Sequence, residues 1–228
     1  MTEAQPRLRV EQLGFRWPSG QMALQGCSFA IPRPGLWMLV GGNGSGKSTL
    51  LRLIAGLLAP QAGTVHSPLK PALVFQNPDH QLLLPSCGSD VELSLPGGLS
   101  RDERLRAVER ALQQVGLEGF RQRPIHSLSG GQKQRLAIAG ALASHGELLL
   151  LDEPTALLDE TSQQEVLQVI HSLCRRSDQP ITALWITHRL EELQWCDGAA
   201  LVEAGRVGPW QGGADLRQRL RPLAAGKG

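Results

Sequence analysis

The sequence predicts an α/β domain with a mainly parallel sheet, an N-terminal antiparallel β-subdomain and an inserted helical subdomain. Short, almost continuous apolar runs predict central parallel strands, because such strands are covered on both faces. Alternating apolar residues before them predict antiparallel strands with one face in water, and a mostly helical stretch interrupts the core. The 228 residues, of which 41% are apolar and 19% charged, suit one folded domain with a subdomain.

Composition and charge limit the classes of function. A net charge of +2, without any Lys- or Arg-rich run, does not indicate a nucleic-acid-binding protein. The four cysteines form no C-x-x-C pair, which is typical of reduced thiols in a cytosolic protein. The N-terminus lacks the apolar segment of a signal peptide, and no apolar run approaches the ~20 residues of a membrane helix. A role at a membrane would therefore need a partner chain.

The first strands are expected between residues 7 and 31. Apolar residues recur at every second position, as in Leu8 and Val10 and later in Phe29 and Ile31, and the turn sequence at 18–20 separates the two stretches. We assign residues 1–35 to the antiparallel β-subdomain.

The core comes next, in residues 36–87 and 146–207. Leu50, Leu53, Ile54, Leu57 and Leu58 repeat with helical period, which predicts one apolar stripe as far as Leu58. The predicted parallel strands are residues 36–40, 72–75, 148–151 and 181–187.

Residues 88–145 are predicted to be the helical subdomain. Ser100 and Glu103 resemble a capping box that opens a helix, and Gly116 can end that helix. A second helix is expected from about Gln132 to Ser144. Residues 208–228 are assigned to a C-terminal tail.

A glycine-rich motif of the form G-x-x-x-x-G-K-[ST] lies between the first core strand and the amphipathic helix. Glycines let the backbone curl around triphosphate oxygens, and the helix N-terminus adds positive potential. Lys47 can reach the β- and γ-phosphates, and Ser48 can ligate Mg²⁺. The alternative is a glycine-rich turn with a chance lysine, which the flanking strand and helix disfavour, so the motif predicts ATP binding on a P-loop NTPase core. The predicted binding residues are Gly41, Gly42, Asn43, Gly44, Ser45, Gly46, Lys47, Ser48 and Thr49.

Two acidic residues, Asp152 and Glu153, end the strand at 148–151. Acids at the carboxyl end of a buried strand emerge into the crevice where α/β proteins bind ligands. Asp152 is suited to hold Mg²⁺ through water, and Glu153, on the other side of the pleat, to polarise the attacking water. The alternative is a turn or helix-cap role, which acids often have at strand ends.

The segment Leu128-Ser129-Gly130-Gly131-Gln132 identifies the family. From about residue 8 to residue 207 the chain resembles the ABC ATPases, with further motifs in the family's order. The resemblance implies a Q-loop glutamine that senses Mg²⁺ and the attacking water, a D-loop aspartate, a switch histidine that contacts the γ-phosphate, and an aromatic residue that stacks on adenine. These residues are Gln76, Asp159, His188 and Trp17, respectively.

Each of these four matches is weak alone, and each has a simpler alternative. The alternatives are an ordinary strand-end residue for Gln76, a helix cap for Asp159, a lone surface or buried histidine for His188 and a core residue for Trp17. Their common spacing favours the functional interpretation.

The signature segment has a physical basis as well. Ser129 and the amides of Gly130 and Gly131 begin a helix and so form an anion site. The resemblance implies that this site, with Gln132, closes on the γ-phosphate held by a second copy or a paralogue. Two chains would then hold two ATP molecules between them, head to tail.

The stretch from residue 74 to residue 91 indicates the subtype. Gln76-Asn-Pro-Asp79, then Gln81-Leu82 and Asp90-Val91, resembles the Q-loop region of energy-coupling-factor and cobalt-type importer ATPases, which supply vitamins and transition-metal ions. This implies an integral membrane subunit that docks near Gln76–Val91, on the inner face of the cell membrane. Cys87-Gly88 and Gly42 depart from the usual residues of that group.

Two alternatives to the transporter role remain at this point. A soluble ABC ATPase that acts on nucleic acid or ribosomes usually has two fused nucleotide domains, a coiled-coil insertion or a zinc module, none of which the sequence contains. A module that binds ATP without turnover is disfavoured by Glu153 and His188. The chain ends soon after residue 207, whereas many relatives have a longer C-terminal dimerisation region, so we expect a dimer held by ATP and the membrane partner.

Overall fold

The computed structural model describes residues 5–225 of the chain. The first four residues of the predicted N-terminal segment and the last three of the predicted tail lie outside this range. The elements in chain order are β1 (Leu8–Arg16), β2 (Met22–Ile31), β3 (Gly35–Val40), α1 (Lys47–Ile54), β4 (Ala62–His66), β5 (Pro71–Val74), α2 (Cys87–Leu93), α3 (Arg101–Gln114), α4 (Gly130–Ala143), β6 (Leu148–Asp152), α5 (Glu160–Cys174), β7 (Thr182–Thr187), β8 (Gly198–Glu203), β9 (Arg206–Val207) and α6 (Gly213–Ala225).

The predicted antiparallel sheet is present, with strand order β2-β1-β4. Leu8 pairs with Ile31 and Val10 with Phe29, and the apolar residues of β1 are buried while the charged and amide residues between them are exposed. The third strand, β4, lies beyond the boundary that we placed at residue 35. Its sequence, Ala-Gly-Thr-Val-His, is mostly exposed and has no apolar alternation, so no pattern marked it as a strand.

The second sheet has the order β5-β6-β7-β3-β8-β9, and all its pairs are parallel except β8 with β9. The four predicted core strands are confirmed with ends shifted by one residue or less. Val40 pairs with Thr187, and Asp152 pairs with Ile186. The carboxyl ends of β3, β6 and β7 therefore meet at one edge of the sheet, where the motifs of the sequence follow each strand.

The two faces of this sheet are buried against different partners. On β3, Leu36, Met38 and Val40 face a cluster that includes residues of α2, α3, α4, α5 and α6. Trp37 and Leu39 face a second cluster with β1, β2 and α1. Burial on both faces explains why these strands read as continuous apolar runs rather than as alternating ones.

Helix α1 is shorter than its apolar stripe predicted. It ends at Ile54, and Gly56 takes a left-handed conformation with φ of 73°. The amide of Leu57 donates to the Arg52 carbonyl at 2.9 Å and that of Gly56 to Leu53 at 3.1 Å, the two bonds of a Schellman motif. The prediction that the stripe continues through Leu57 is therefore wrong, and the Leu57 side chain is 60% exposed.

The helical segment contains the expected helix starts. Ser100 Oγ accepts from the Glu103 amide and Glu103 Oε2 from the Ser100 amide, which is the predicted capping box at α3. Gly116, with φ of 68°, follows the end of that helix. The signature helix α4 begins at Gly130, two residues earlier than predicted.

The segment predicted as a tail contains helix α6. This helix packs on β8 and on the short 3-10 helix Leu190–Trp195, and it buries Leu216 completely. Within residues 5–225, no helix combines the length and apolar character needed to cross a bilayer.

Candidate active site

The glycine-rich loop joins β3 to α1 and leaves open space above it. A Cβ added at Gly42 or Gly44 would meet nothing within 4 Å, so the backbone there is free to approach a ligand. Gly46 has φ of 100°, and a Cβ on it would collide with the Ala23 carbonyl. This position therefore requires glycine for both its conformation and its contact with β2.

Lys47 folds back over this loop, with only 5% of the residue exposed. Its Nζ donates to the carbonyls of Gly41 at 2.8 Å and Gly42 at 2.9 Å, and lies 3.4 Å from Ser45 Oγ. Burial lowers the pKa of Lys47, while the charges of Glu153 and Asp152 act in the opposite direction. A desolvated ammonium group at the mouth of a loop of free backbone fits the phosphate groups of a nucleotide.

Two side chains with oxygen atoms that could ligate a metal ion, Ser48 and Asp152, lie beside the loop. Ser48 Oγ donates to Asp152 Oδ1 at 2.9 Å. Burial raises the pKa of Asp152, and the hydrogen bond from Ser48 opposes that shift. Mg²⁺ prefers oxygen ligands and is commonly held by one or two carboxylates together with substrate phosphates. A hydroxyl and a carboxylate side by side therefore fit such an ion together with phosphate oxygens.

Glu153 and His188 are brought together from the ends of two adjacent strands. His188 Nδ1 lies 3.0 Å from Glu153 Oε2, and the Glu153 amide donates to the Ile186 carbonyl of β7 at 3.1 Å. Glu153 has φ of 46°, an unusual left-handed conformation for a residue with a side chain. A carboxylate next to an imidazole can accept a proton from water and be oriented while it does so.

Glu153, Asp152 and the groups of the phosphate loop open into one cleft of about 420 Å³, whereas His188 contacts Glu153 but does not line that cleft. Trp17 stands at its edge, partly buried and packed edge-on against Phe15 with the ring centroids 5.1 Å apart. Gln21 and Ala23 also line the cleft, and no motif in the sequence marked them. The predicted residues that line it are Trp17, Asn43, Gly44, Gly46, Lys47, Ser48, Thr49, Gln76, Asp152 and Glu153.

The signature residues are placed differently, since none of them lines the cleft. Ser129 and Gly130 are exposed, whereas Gly131 is buried against Ser162. Ser129 Oγ accepts from the Gln132 amide at 3.2 Å, and Gln132 Oε1 accepts from the Ser129 amide at 3.1 Å. Within one chain, this segment therefore satisfies only its own helix start.

Asp159 also lies outside the cleft. Its Oδ1 accepts from the Ser162 amide at 2.9 Å, and its Oδ2 accepts from the Ser162 hydroxyl at 2.8 Å. These hydrogen bonds lower the pKa of Asp159 and cap helix α5. Within one chain, Asp159 has the helix-cap role that the sequence left open as an alternative.

Sequence reasoning missed one buried acid near the site. Glu192 is 3% exposed and hydrogen-bonded to Thr155 and Trp185. It follows Glu191 in a short 3-10 helix, so in the sequence the pair resembles ordinary surface acids.

Comparisons with known proteins agree with this geometry. A family model described as ABC transporter matches residues 24–156. ABC transporter I family member 10 of Arabidopsis thaliana is 49% identical over 186 residues, which cover 81% of this chain and 69% of that protein. Energy-coupling factor transporter ATP-binding protein EcfA1 of Geobacillus kaustophilus is 39% identical over 220 residues, covering 90% of this chain and 78% of that protein.

The solved structures that resemble this chain are also ABC transporter cassettes. The protein cbiO1 from Clostridium perfringens, part of the ABC transporter complex cbiONQ, superposes with a TM-score of 0.85 at 32% identity, over 96% of this chain and 94% of that one. A dimeric ATP-binding cassette in a post-hydrolysis state, bound to ADP and phosphate, superposes with a TM-score of 0.77 at 26% identity, over 90% and 98%. The family match covers more than half of the chain and contains both the phosphate loop and the signature. This chain therefore belongs to the ABC transporter family, as one of its ATP-binding, ATP-hydrolysing cassettes.

Proposed function

We propose that this chain powers a membrane transporter through ATP-driven, head-to-tail dimerisation, as an importer subunit of the energy-coupling-factor type. The observation that carries the proposal is the division of the site. The cleft holds the groups around Lys47 and Glu153, whereas the exposed Ser129 lies outside it. A second copy or a paralogue would bring its own signature residues to the terminal phosphate.

In this proposal the residues of the cleft divide the work of hydrolysis. Loop amides and Lys47 bind the phosphate oxygens, and Trp17 stacks on the adenine. Glu153 accepts a proton from the attacking water, which His188 helps to orient. Ser48 and Asp152, with Gln76 at the same cleft, would hold Mg²⁺, which would supply neutralising charge on the phosphate oxygens.

The D-loop would lie at the contact between the two chains. Leu157 is 63% exposed, an unusual state for a leucine between a buried strand and a helix. Asp159 holds the start of α5 directly after it. Apolar exposure beside a rigid helix start suits a surface that is covered when the dimer closes.

We infer that the membrane subunit docks near Gln76–Val91. Leu83 is 72% exposed in this segment. Asp90 Oδ1 accepts from the amides of Leu83 at 2.7 Å and Leu84 at 3.0 Å, which fixes the backbone that presents the side chain. A rigid loop with an exposed apolar residue suits contact with an amphipathic helix of a partner.

The importer subtype rests on similarity. Energy-coupling factor and cbiONQ proteins are among the most similar relatives and structures. We propose by extension a vitamin or a transition-metal ion as the cargo, with the chain bound to the inner face of the cell membrane through its partner. A nucleic-acid partner is not expected at a net charge of +2.

The dimer can be tested with a hydrolysis-blocked chain. We expect Glu153→Gln with Mg²⁺ and ATP to double its mass in light scattering, and to keep the single-chain mass with ADP. Adding Lys47→Ala to the same chain should abolish the ATP-dependent dimer. A single-chain mass at saturating ATP, even together with the natural membrane subunit, would exclude the proposed mechanism.

A further inference from the structure

Glu192 is a carboxylate withdrawn from water, with 3% of the residue exposed. Such a group is costly to bury unless its oxygens are hydrogen-bonded. Both oxygens have a donor: Thr155 Oγ1 at 2.5 Å from Oε1, and Trp185 Nε1 at 3.1 Å from Oε2. The guanidinium Nε of Arg189 lies 3.8 Å from Oε1.

These partners belong to the two segments that carry the catalytic pair of the proposed function. Thr155 is two residues after Glu153, on the loop that follows β6. Arg189 directly follows His188, and Trp185 lies in β7. One buried carboxylate therefore connects the loop that carries Glu153 with the segment that carries His188.

The backbone of Glu153 is bonded to β7 through the Ile186 carbonyl, but the geometry of the two side chains also depends on the segments that follow β6 and β7. Glu153 is held at φ of 46°, a strained conformation that persists only where the surrounding structure determines it. The His188 side chain is 55% exposed. The 3.0 Å contact between the two side chains therefore depends on the contacts that fix the two segments on the side away from the cleft.

We propose that Glu192 is a positioning residue for ATP hydrolysis: by binding Thr155 and Trp185, it keeps Glu153 and His188 within hydrogen-bond distance. The inference rests on the proposed function of Glu153 as general base. Glu192 does not line the cleft, so it acts on the geometry of the pair and not on the nucleotide.

The environment of Glu192 supports a fixed structural connection. Burial raises its pKa, and hydrogen bonds from Thr155, Thr187 and Trp185 and the charge of Arg189 oppose that shift. A glutamine can keep both main contacts, because the Thr155 hydroxyl is able to accept from its amide group while Trp185 donates to its oxygen. A leucine of similar size can keep neither.

The test compares Glu192→Leu with Glu192→Gln. We expect Glu192→Leu to lower kcat about tenfold or more and Glu192→Gln less than about threefold, with the Kd for ATP unchanged in both. The neighbouring Glu191→Gln, an exposed acid that pairs with Arg189, is the matched control and should leave kcat unchanged. A fall in ATP affinity equal to the fall in kcat would overturn the inference.

If Glu192→Leu fails to fold, Thr155 provides the same test from the other end of the connection. Thr155→Val removes the hydroxyl at nearly constant volume and should lower kcat several-fold. Thr155→Ser keeps a hydroxyl and should keep kcat near the parent value. Equal kcat values for Thr155→Val and the parent would contradict the inference.

A double variant separates this inference from the proposed function. If Glu192 acts through Glu153, Glu192→Leu should have little further effect on the residual hydrolysis of Glu153→Gln. A full, additive loss would contradict the positioning role alone. A Glu153→Gln variant as active as the parent would instead refute the general-base assignment.

Discussion

The loop before α1 and the start of α4 are both runs of glycine and serine that open a helix, yet they have different surroundings. The first is enclosed by Lys47, Ser48 and two carboxylates, all of which open into one cleft. The second has an exposed Ser129 whose hydroxyl serves only its own helix. The difference supports the proposal that the phosphate loop is the centre of a site to which a second chain contributes its signature, because the signature residues lie away from the cleft of their own chain.

Among the variants that test this contrast, Glu153→Gln should lower the rate of hydrolysis most. It removes the proposed proton acceptor and leaves the size of the side chain unchanged. We expect kcat to fall by about 10²-fold or more, in line with general-base effects. ATP binding should remain, since the phosphate loop is intact. Steady-state hydrolysis and calorimetric titration with ATP measure the two quantities separately.

The matched control lies at the other end of the same strand. Glu147 is exposed just before β6, so Glu147→Gln makes the same chemical change away from the cleft. It should hydrolyse ATP at the parent rate. Equal losses in the two variants would mean that the Glu153 effect is not a property of the cleft.

Lys47→Ala should produce the next largest effect, on binding. A hydrogen bond to a charged group contributes about 1.5–3 kcal/mol, which corresponds to roughly 10- to 100-fold in Kd. We therefore expect a loss of ATP affinity of this size in the isolated chain, measured by calorimetry. Parent-like affinity would show that the loop binds phosphate without its lysine. The lysine would then no longer explain why the loop, unlike the signature, binds nucleotide within its own chain.

Much of the fold was predictable, because its central strands are buried on both faces. β3, β6 and β7 read as continuous apolar runs, and the capping box at Ser100 marked the start of α3. β4 was not predictable from apolar pattern, since its pairing with β1 comes from backbone bonds and its side chains are exposed. The early end of α1 depends on the left-handed Gly56, which the stripe of leucines did not indicate.

The site divides in the same way. Residues in contiguous motifs, such as Lys47 with Ser48 and Asp152 with Glu153, were predictable because one short segment contains the whole chemical pattern. Glu192 was not, because its role depends on partners from other segments, 37 residues away in the case of Thr155. A short stretch of sequence is enough to predict a ligand-binding loop. It does not predict the buried contacts between loops that are distant in the chain.

The smallest expected effect concerns the signature and uses an internal control. Ser129 and Ser100 each cap a helix through the same capping box. Alanine at either position should therefore cost about 0.5–2 kcal/mol of stability, measured by urea unfolding. Only Ser129→Ala should also lower hydrolysis, by about tenfold, if its hydroxyl meets a phosphate across the dimer.

Further measurements on Ser129→Ala distinguish a signature that completes the nucleotide site of a second chain from a serine that only caps its own helix. ATP affinity of the isolated chain should be unchanged in Ser129→Ala, because Ser129 does not line the cleft of its own chain. Mixing Ser129→Ala with Glu153→Gln chains sharpens the test, since one of the two sites in a mixed dimer then has both a normal Glu153 and a normal Ser129. A rate in the mixture above that of either variant alone would place the signature of one chain over the phosphates of the other. A mixture that hydrolyses ATP no faster than the average of its two components would mean that Ser129 acts only within its own helix.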